Sequence, residues 1–214
     1  MADVPLMFLG NFTWVEQYKE HLPIDVCEVY AAEYRKIRHA TLYQLHNEQI
    51  KSLLANADVG YASLTCRPFT QKVNNIKEEM GGRKKVFIAL GMSASFIEKI
   101  DVSGLPYTFI VNDSIQLIGE NVVRLPANTE NTQDYIKASD YVIIKAGWGS
   151  VAETLLAGKR LALFERDTVL EDRNTIEQLT WENHAIKIKQ ENLYNIPAIL
   201  EKMDTLESVN AEKY

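Results

Sequence analysis

Residues 141–153 read YVIIKAGWGSVAE. An apolar run stops at Lys145, Gly147 and Gly149 bracket Trp148, and Ser150 stands three places before Glu153. An apolar run without alternation suits a strand covered on both faces, as in a parallel sheet. Gly147 and Gly149 permit tight or positive-φ backbone there, and Ser150 is placed to cap a helix running to Gly158. Bared amides and the positive end of the helix dipole would then face the loop, which is an anion site suited to a phosphate or diphosphate.

Working outward, similar apolar runs recur at regular intervals. KVFIALG at 85–91, PYTFIVN at 106–112, a short IQLIG, NVVRL at 121–125, DYVIIKA at 140–146, RLALFE at 160–165 and AIKI at 185–188 all read as strands. Short helical stretches separate them, so the pattern predicts an α/β fold with a parallel sheet and helices on its faces. Towards the start, VPLMFLG at 4–10 and VGYASL at 59–64 read as further buried strands. Thr13 and Glu16 have capping-box spacing for a short helix ending at Pro23. Asp25 and Glu28 repeat it, and Val26, Val29, Tyr30, Ile37, Leu45 and Leu53 predict one face of a long helix reaching about Leu54. The polar stretch TCRPFTQKVNNIKEEMGGRKK, with Pro68 and Gly81-Gly82, reads as a connector. Residues 1–82 are therefore expected to form a partial N-terminal α/β domain and linker, and residues 83–214 a Rossmann-like domain.

Composition narrows the function classes. The 214 residues are 46% apolar, enough for one good core or two small ones, and 23 Lys plus Arg against 29 Asp plus Glu leave a net charge of −6. That balance offers no general electrostatic reason to bind nucleic acid or an anionic membrane. No apolar run approaches the roughly 20 residues that span a bilayer, and the first ten residues lack signal-peptide features, so the cytoplasm is the expected address. Cys27 and Cys66 lie far apart, with no metal-ligand spacing, and read as small buried residues or idle thiols. His21, His39, His46 and His184 are scattered and take no catalytic role; neither a metal nor a cofactor is expected.

Glu153 has two readings. Ser150-x-x-Glu153 is a capping box that needs no ligand, and a carboxylate one turn above a glycine loop can also accept both hydrogen bonds of a ribose diol. Gly147-x-Gly149-x-x-Ala152 followed by Glu165 resembles a dinucleotide fingerprint, but the helix before Gly158 is roughly half as long as that unit provides. A P-loop is ruled out, because Gly158-Lys159 lacks a glycine at the required offset and is followed by Arg160.

The segment KAGWGSVAETLLAGKRLALFERDTVLEDRNTIEQL resembles the donor-binding segment of GT-B glycosyltransferases, especially the group that includes the muramyl-pentapeptide transferase. Gly147, Ser150, Glu153, Gly158, Asp172 and Asn174 stand at the places of that pattern. Thr65-Cys66-Arg67-Pro68 looks like the hinge between two GT-B domains, and KVFIALGMSASF like the first strand and phosphate-facing loop of the C-terminal domain. The resemblance implies a nucleotide-sugar substrate, UDP-linked by preference. Glu153 would hold the ribose, Ser150 with the backbone of Gly147 and Gly149 the diphosphate, and Ser93, Ala94 and Ser95 the same phosphates from the first loop. Lys145 would neutralise the leaving diphosphate, though a solvated lysine at a strand end explains it equally. The loop carrying Arg166, Glu171, Asp172 and Asn174 would close over the sugar. Trp148 reads as packing over a neighbouring loop rather than stacking on a base.

Arg160 and Glu165 depart from the prolines usual in that group, and GMSAS is poorer in glycine than its phosphate loops. The first domain looks incomplete beside a whole GT-B enzyme. The chain is thus expected to be a truncated product or one part of a split transferase, as a homo-oligomer or with a separate N-terminal-domain partner. Inverting transfer from a nucleotide-sugar is the leading expectation. A nucleotide-sugar hydrolase or epimerase and a catalytically silent binding module are the alternatives.

Overall fold

The computed structural model describes residues 6–91, 99–112, 115–166 and 169–214. It divides into two compact units, Met1–Leu64 with Asp167–Thr175, and Thr65–Arg166 with Ile176–Tyr214. Residues 65–82, read above as the linker closing the first domain, belong to the second unit. Thr70 explains this locally, donating from its amide and hydroxyl to Asp134 at 2.8 and 2.6 Å.

In the first unit, β1 (Met7–Gly10), β2 (His39–Tyr43) and β3 (Asp58–Ala62) form a parallel sheet in the order β1-β2-β3. The helices α1 (Trp14–Tyr18), α2 (Ile24–Tyr34) and α3 (Ile50–Leu53) connect them. The Thr13–Glu16 capping box forms as expected. The long helix to Leu54 does not: α2 stops at Tyr34, and β2 occupies the middle of the span. Ala40 and Leu42 lie two apart and are both buried, the period of a strand, and pairing with β1 on one side and β3 on the other fixes them there. The buried side of α2 is made by the small residues Cys27 and Ala31, whereas Val26, Val29 and Tyr30 are exposed.

Ile37, Ala40, Leu42, Ile50 and Leu54 form the core of this unit, with Phe8 and Val59 packed on it. All of its strand residues point to one face of the sheet. On the other face Met7 and Leu9 remain 68% and 59% exposed, unusual for a parallel sheet, which is normally covered on both sides.

The second unit starts with α4 (Lys72–Glu79) and continues through β4 (Lys84–Ala89), β5 (Ile100–Asp101), β6 (Tyr107–Val111), β7 (Leu117–Ile118) and β8 (Val122–Arg124). Then follow α5 (Thr132–Ala138), β9 (Tyr141–Lys145), α6 (Trp148–Leu156), β10 (Leu161–Phe164), α7 (Leu170–Trp181), which belongs to this unit only from Ile176, β11 (Ala185–Ile188) and α8 (Ile196–Asp204). Six of these strands form a parallel sheet in the order β11-β10-β9-β4-β6-β8, and β5 pairs with β7 separately. Read from β8, this is the doubly wound 3-2-1-4-5-6 order, in which the chain reverses direction between β4 and β9.

Both faces of this sheet are covered, which explains the unbroken apolar runs. Val86, Ile88, Phe109, Ile143 and Ala162 face α8 residues Ile199, Leu200 and Met203 in one core. Phe87, Ile110, Val142, Ile144 and Leu163 point the other way and are also buried. Tyr141 ties the sheet to the end of α8: its hydroxyl donates to Asp204 at 2.9 Å and accepts from Lys84 Nζ at 2.9 Å. Among the described residues no helix is long and apolar enough to cross a membrane.

The bare face of the first sheet gives a clear contrast. Leu42→Ala should lower stability by about 2–5 kcal/mol in chemical denaturation, whereas Met7→Lys should change that of the dissociated chain, measured at high dilution, by about 0.5 kcal/mol or less.

Candidate functional site

In doubly wound sheets a crevice opens beyond the carboxyl ends of the two strands at the reversal. Here these are β4, followed by Leu90 and Gly91, and β9, followed by Ala146 and Gly147. Gly91 has φ +67°, a left-handed conformation that side chains disfavour, and a Cβ there would lie 3.4 Å from Lys145 Cδ, Cε and Nζ. A Cβ on Gly147 would lie 3.3 Å from Lys145 Cε. The Lys145 side chain therefore lies across both glycines at the crevice. Among the described residues its ammonium has no carboxylate within ion-pair distance.

The turn differs from the one expected. Gly147, at φ −67° and ψ 127°, is the N-cap, so α6 starts at Trp148 and Gly149 is already helical. Neither glycine has positive φ, and a Cβ on Gly149 would meet open space. Ser150 is the third helical residue rather than the cap; its carbonyl accepts from Thr154 Oγ1 at 2.7 Å. No side chain caps the helix. The amino end of α6, the positive end of its dipole, lies beside Lys145. The other end closes as expected: Gly158 at φ +71° donates to Leu155 O, and Lys159 donates to Thr154 O, a Schellman pair.

Because the helix starts three residues earlier than a Ser150 cap implies, Glu153 lies in its second turn and is not part of a capping box. It is 6% exposed, and its Oε1 accepts from Arg67 Nε at 2.7 Å. Arg67 Nη2 also donates to Thr132 Oγ1 at 2.9 Å. The hydrogen bond to Glu153 holds the Arg67 guanidinium further above its ordinary pKa, so it stays charged at every accessible pH. Burial pushes the neighbouring Cys66 thiol up, the Glu153 charge adds to this, and Arg67 opposes it, so Cys66 is a poor thiolate nucleophile. Both cysteines are free.

Lys145, Gly147, Gly149, Ser150 and Glu153 are thus brought together, and Arg166 follows β10 at the same carboxyl edge of the sheet. Ser93, Ala94 and Ser95 lie outside the described residues. Glu171, Asp172 and Asn174 belong to the first unit. Glu171 Oε1 accepts from Asn11 Nδ2 at 3.1 Å, Asn174 Nδ2 donates to Leu45 O at 3.1 Å, and Asp172 is fully buried. Sequence reasoning missed Arg67 as a partner of Glu153. The two stand 86 residues apart, and no local spacing signals such a pair.

A cavity of about 530 Å³ opens at the opposite edge, where the strands begin, between Gly82, Arg83, Thr108, Glu120 and Asn121. Its lining mixes both charges, and it lies away from the crevice at the reversal.

Comparison with known proteins adds the fold. No protein-family model and no curated protein matches the chain. Solved structures do: the calicheamicin glycosyltransferase CalG4 matches with a TM-score of 0.61 at 13% identity, over 95% of this chain and 62% of that one. The fold is similar to that of GT-B glycosyltransferases. The kitacinnamycin glycosyltransferase matches with a TM-score of 0.51 at 12% identity, over 89% of this chain and 59% of that one. The chain thus spans about three-fifths of the length of these structures.

Gly91 carries a direct prediction. Gly91→Ala should destabilise the protein by about 1–2 kcal/mol in thermal denaturation, because a side chain there must hold a left-handed backbone against Lys145.

Proposed function

We propose that the second unit binds the nucleotide-sugar donor of a glycosyl transfer at the crevice between β4 and β9. The observation that carries this reading is the Lys145 ammonium, laid over Gly91 and Gly147 beside the uncapped amino end of α6. A cation and the amino end of a helix converging on one crevice fit a diphosphate, whose charge rises as the sugar departs. Ser150 and the backbone at Gly147 and Gly149 would meet that diphosphate, and Glu153, one turn further, would take the ribose hydroxyls. Arg166 would reach the same edge. A uridine diphosphate sugar is the donor we favour, and catalysis would rest on placing it and stabilising its leaving group.

The GT-B fold supports transfer over the alternatives, a nucleotide-sugar hydrolase or epimerase and a silent binding module. The bare face carrying Met7 and Leu9 is where a second chain would add a layer, as another copy or as a separate partner. Light scattering on the purified chain should then show a dimer, or co-purification a partner, and Leu9→Lys should abolish either. A monomer unaffected by that substitution contradicts the partner reading.

Calorimetric titration with UDP, GDP and dTDP tests the donor site. Lys145→Ala should weaken UDP binding by about tenfold, as expected for loss of a charge-assisted hydrogen bond, and leave uridine binding unchanged. Equal loss for UDP and uridine contradicts the placement of the diphosphate at Lys145.

A further inference from the structure

Glu153 is the most deeply buried acid at the crevice, and a carboxylate with 8% of its side chain exposed needs a fixed counter-charge if it is to remain a hydrogen-bond acceptor. Arg67 supplies it from the segment just after the first unit. Its guanidinium is held at two points, by Glu153 Oε1 through Nε and by Thr132 at the start of α5 through Nη2. That fork takes one carboxylate oxygen and leaves the other. Among the described residues Oε2 accepts no hydrogen bond, and it is not sealed from solvent. The guanidinium, itself anchored by Thr132, holds Oε1 in place and compensates the charge of the carboxylate.

We propose that Arg67 is a positioning residue of the donor site, holding Glu153 so that Oε2 is presented to the vicinal hydroxyls of a ribose; the inference rests on the donor-binding reading above. Arg67 thereby sets the preference of the site for ribonucleotides over nucleotides lacking those hydroxyls. Its contribution to diphosphate binding is small, because both of its hydrogen bonds are spent on protein groups.

The probes are UDP and 2′,3′-dideoxyuridine diphosphate, with the guanosine pair run in parallel, titrated calorimetrically against the intact chain. The wild type should bind the ribonucleotide about tenfold or more tightly than its dideoxy counterpart, the size expected for hydrogen bonds to a charged acceptor. Arg67→Ala should lose most of that ratio by weakening the ribonucleotide alone, and Arg67→Lys should keep part of it. Glu153→Gln should lose the ratio as well, and the double variant should lose no more than either single one, as partners in one network do. Arg67→Ala leaves the Glu153 carboxylate without its counter-charge and should lower the melting temperature, so the titrations are run well below that temperature, where circular dichroism shows each variant folded, and the ratio between the paired nucleotides is read rather than affinity alone.

A wild-type preference that survives Arg67→Ala overturns the role of Arg67 and leaves the donor site standing. Equal weakening of both nucleotides by Arg67→Ala also overturns it, because Arg67 would then act on the diphosphate or the fold. A wild type that binds UDP and its dideoxy form equally, or binds neither base, overturns the Glu153 assignment and this inference with it.

Discussion

Placing a lysine side chain over two residues that have no side chains is the contact on which the proposed chemistry depends. Lys145 ends β9 at the point where the sheet reverses, and its side chain lies close over Gly91 and Gly147, where a Cβ would come within 3.4 and 3.3 Å of it. The doubly wound order brings β4 and β9 together as neighbours, so that residues 54 positions apart in the chain meet across one crevice. The start of α6 adds the positive end of a helix dipole. Each feature is ordinary alone; together they put positive charge where the fold leaves an opening.

The second unit was largely legible because its strands are buried on both faces. Runs such as VFIA, TFIV, YVII and LALF need no alternation to be recognised, and Gly158 marks the end of α6 by the same backbone freedom that the structure uses. The short helix before Gly158 suits the GT-B pattern, and the fold is similar to that of GT-B glycosyltransferases. The two-residue strand β5 carries too little pattern to be seen at all.

Misreadings came where tertiary partners outweigh local pattern. The stretch around His39–Tyr43 has apolar residues at helical spacing on either side, yet Ala40 and Leu42 are drawn into a strand by neighbours on both edges. In α2 the bulky residues Val26, Val29 and Tyr30 drew attention, while the helix packs through Cys27 and Ala31, whose small side chains allow close approach. Ser150-x-x-Glu153 has the spacing of a cap, and only the earlier start of the helix removes that explanation. Glu171 and Asn174 make hydrogen bonds with Asn11 and Leu45 of the first unit that their sequence neighbourhood does not announce. Long-range pairs of this kind leave no trace in spacing.

The central claim is that a nucleoside diphosphate enters at the carboxyl ends of β4 and β9. Titrating isotopically labelled protein with UDP and following backbone amide shifts by nuclear magnetic resonance tests it residue by residue. The account predicts that the largest shifts fall on Gly91 and on residues 146–150, with smaller ones at Glu153. Shifts confined to Gly82, Thr108 and Asn121, around the cavity at the opposite edge, would contradict it.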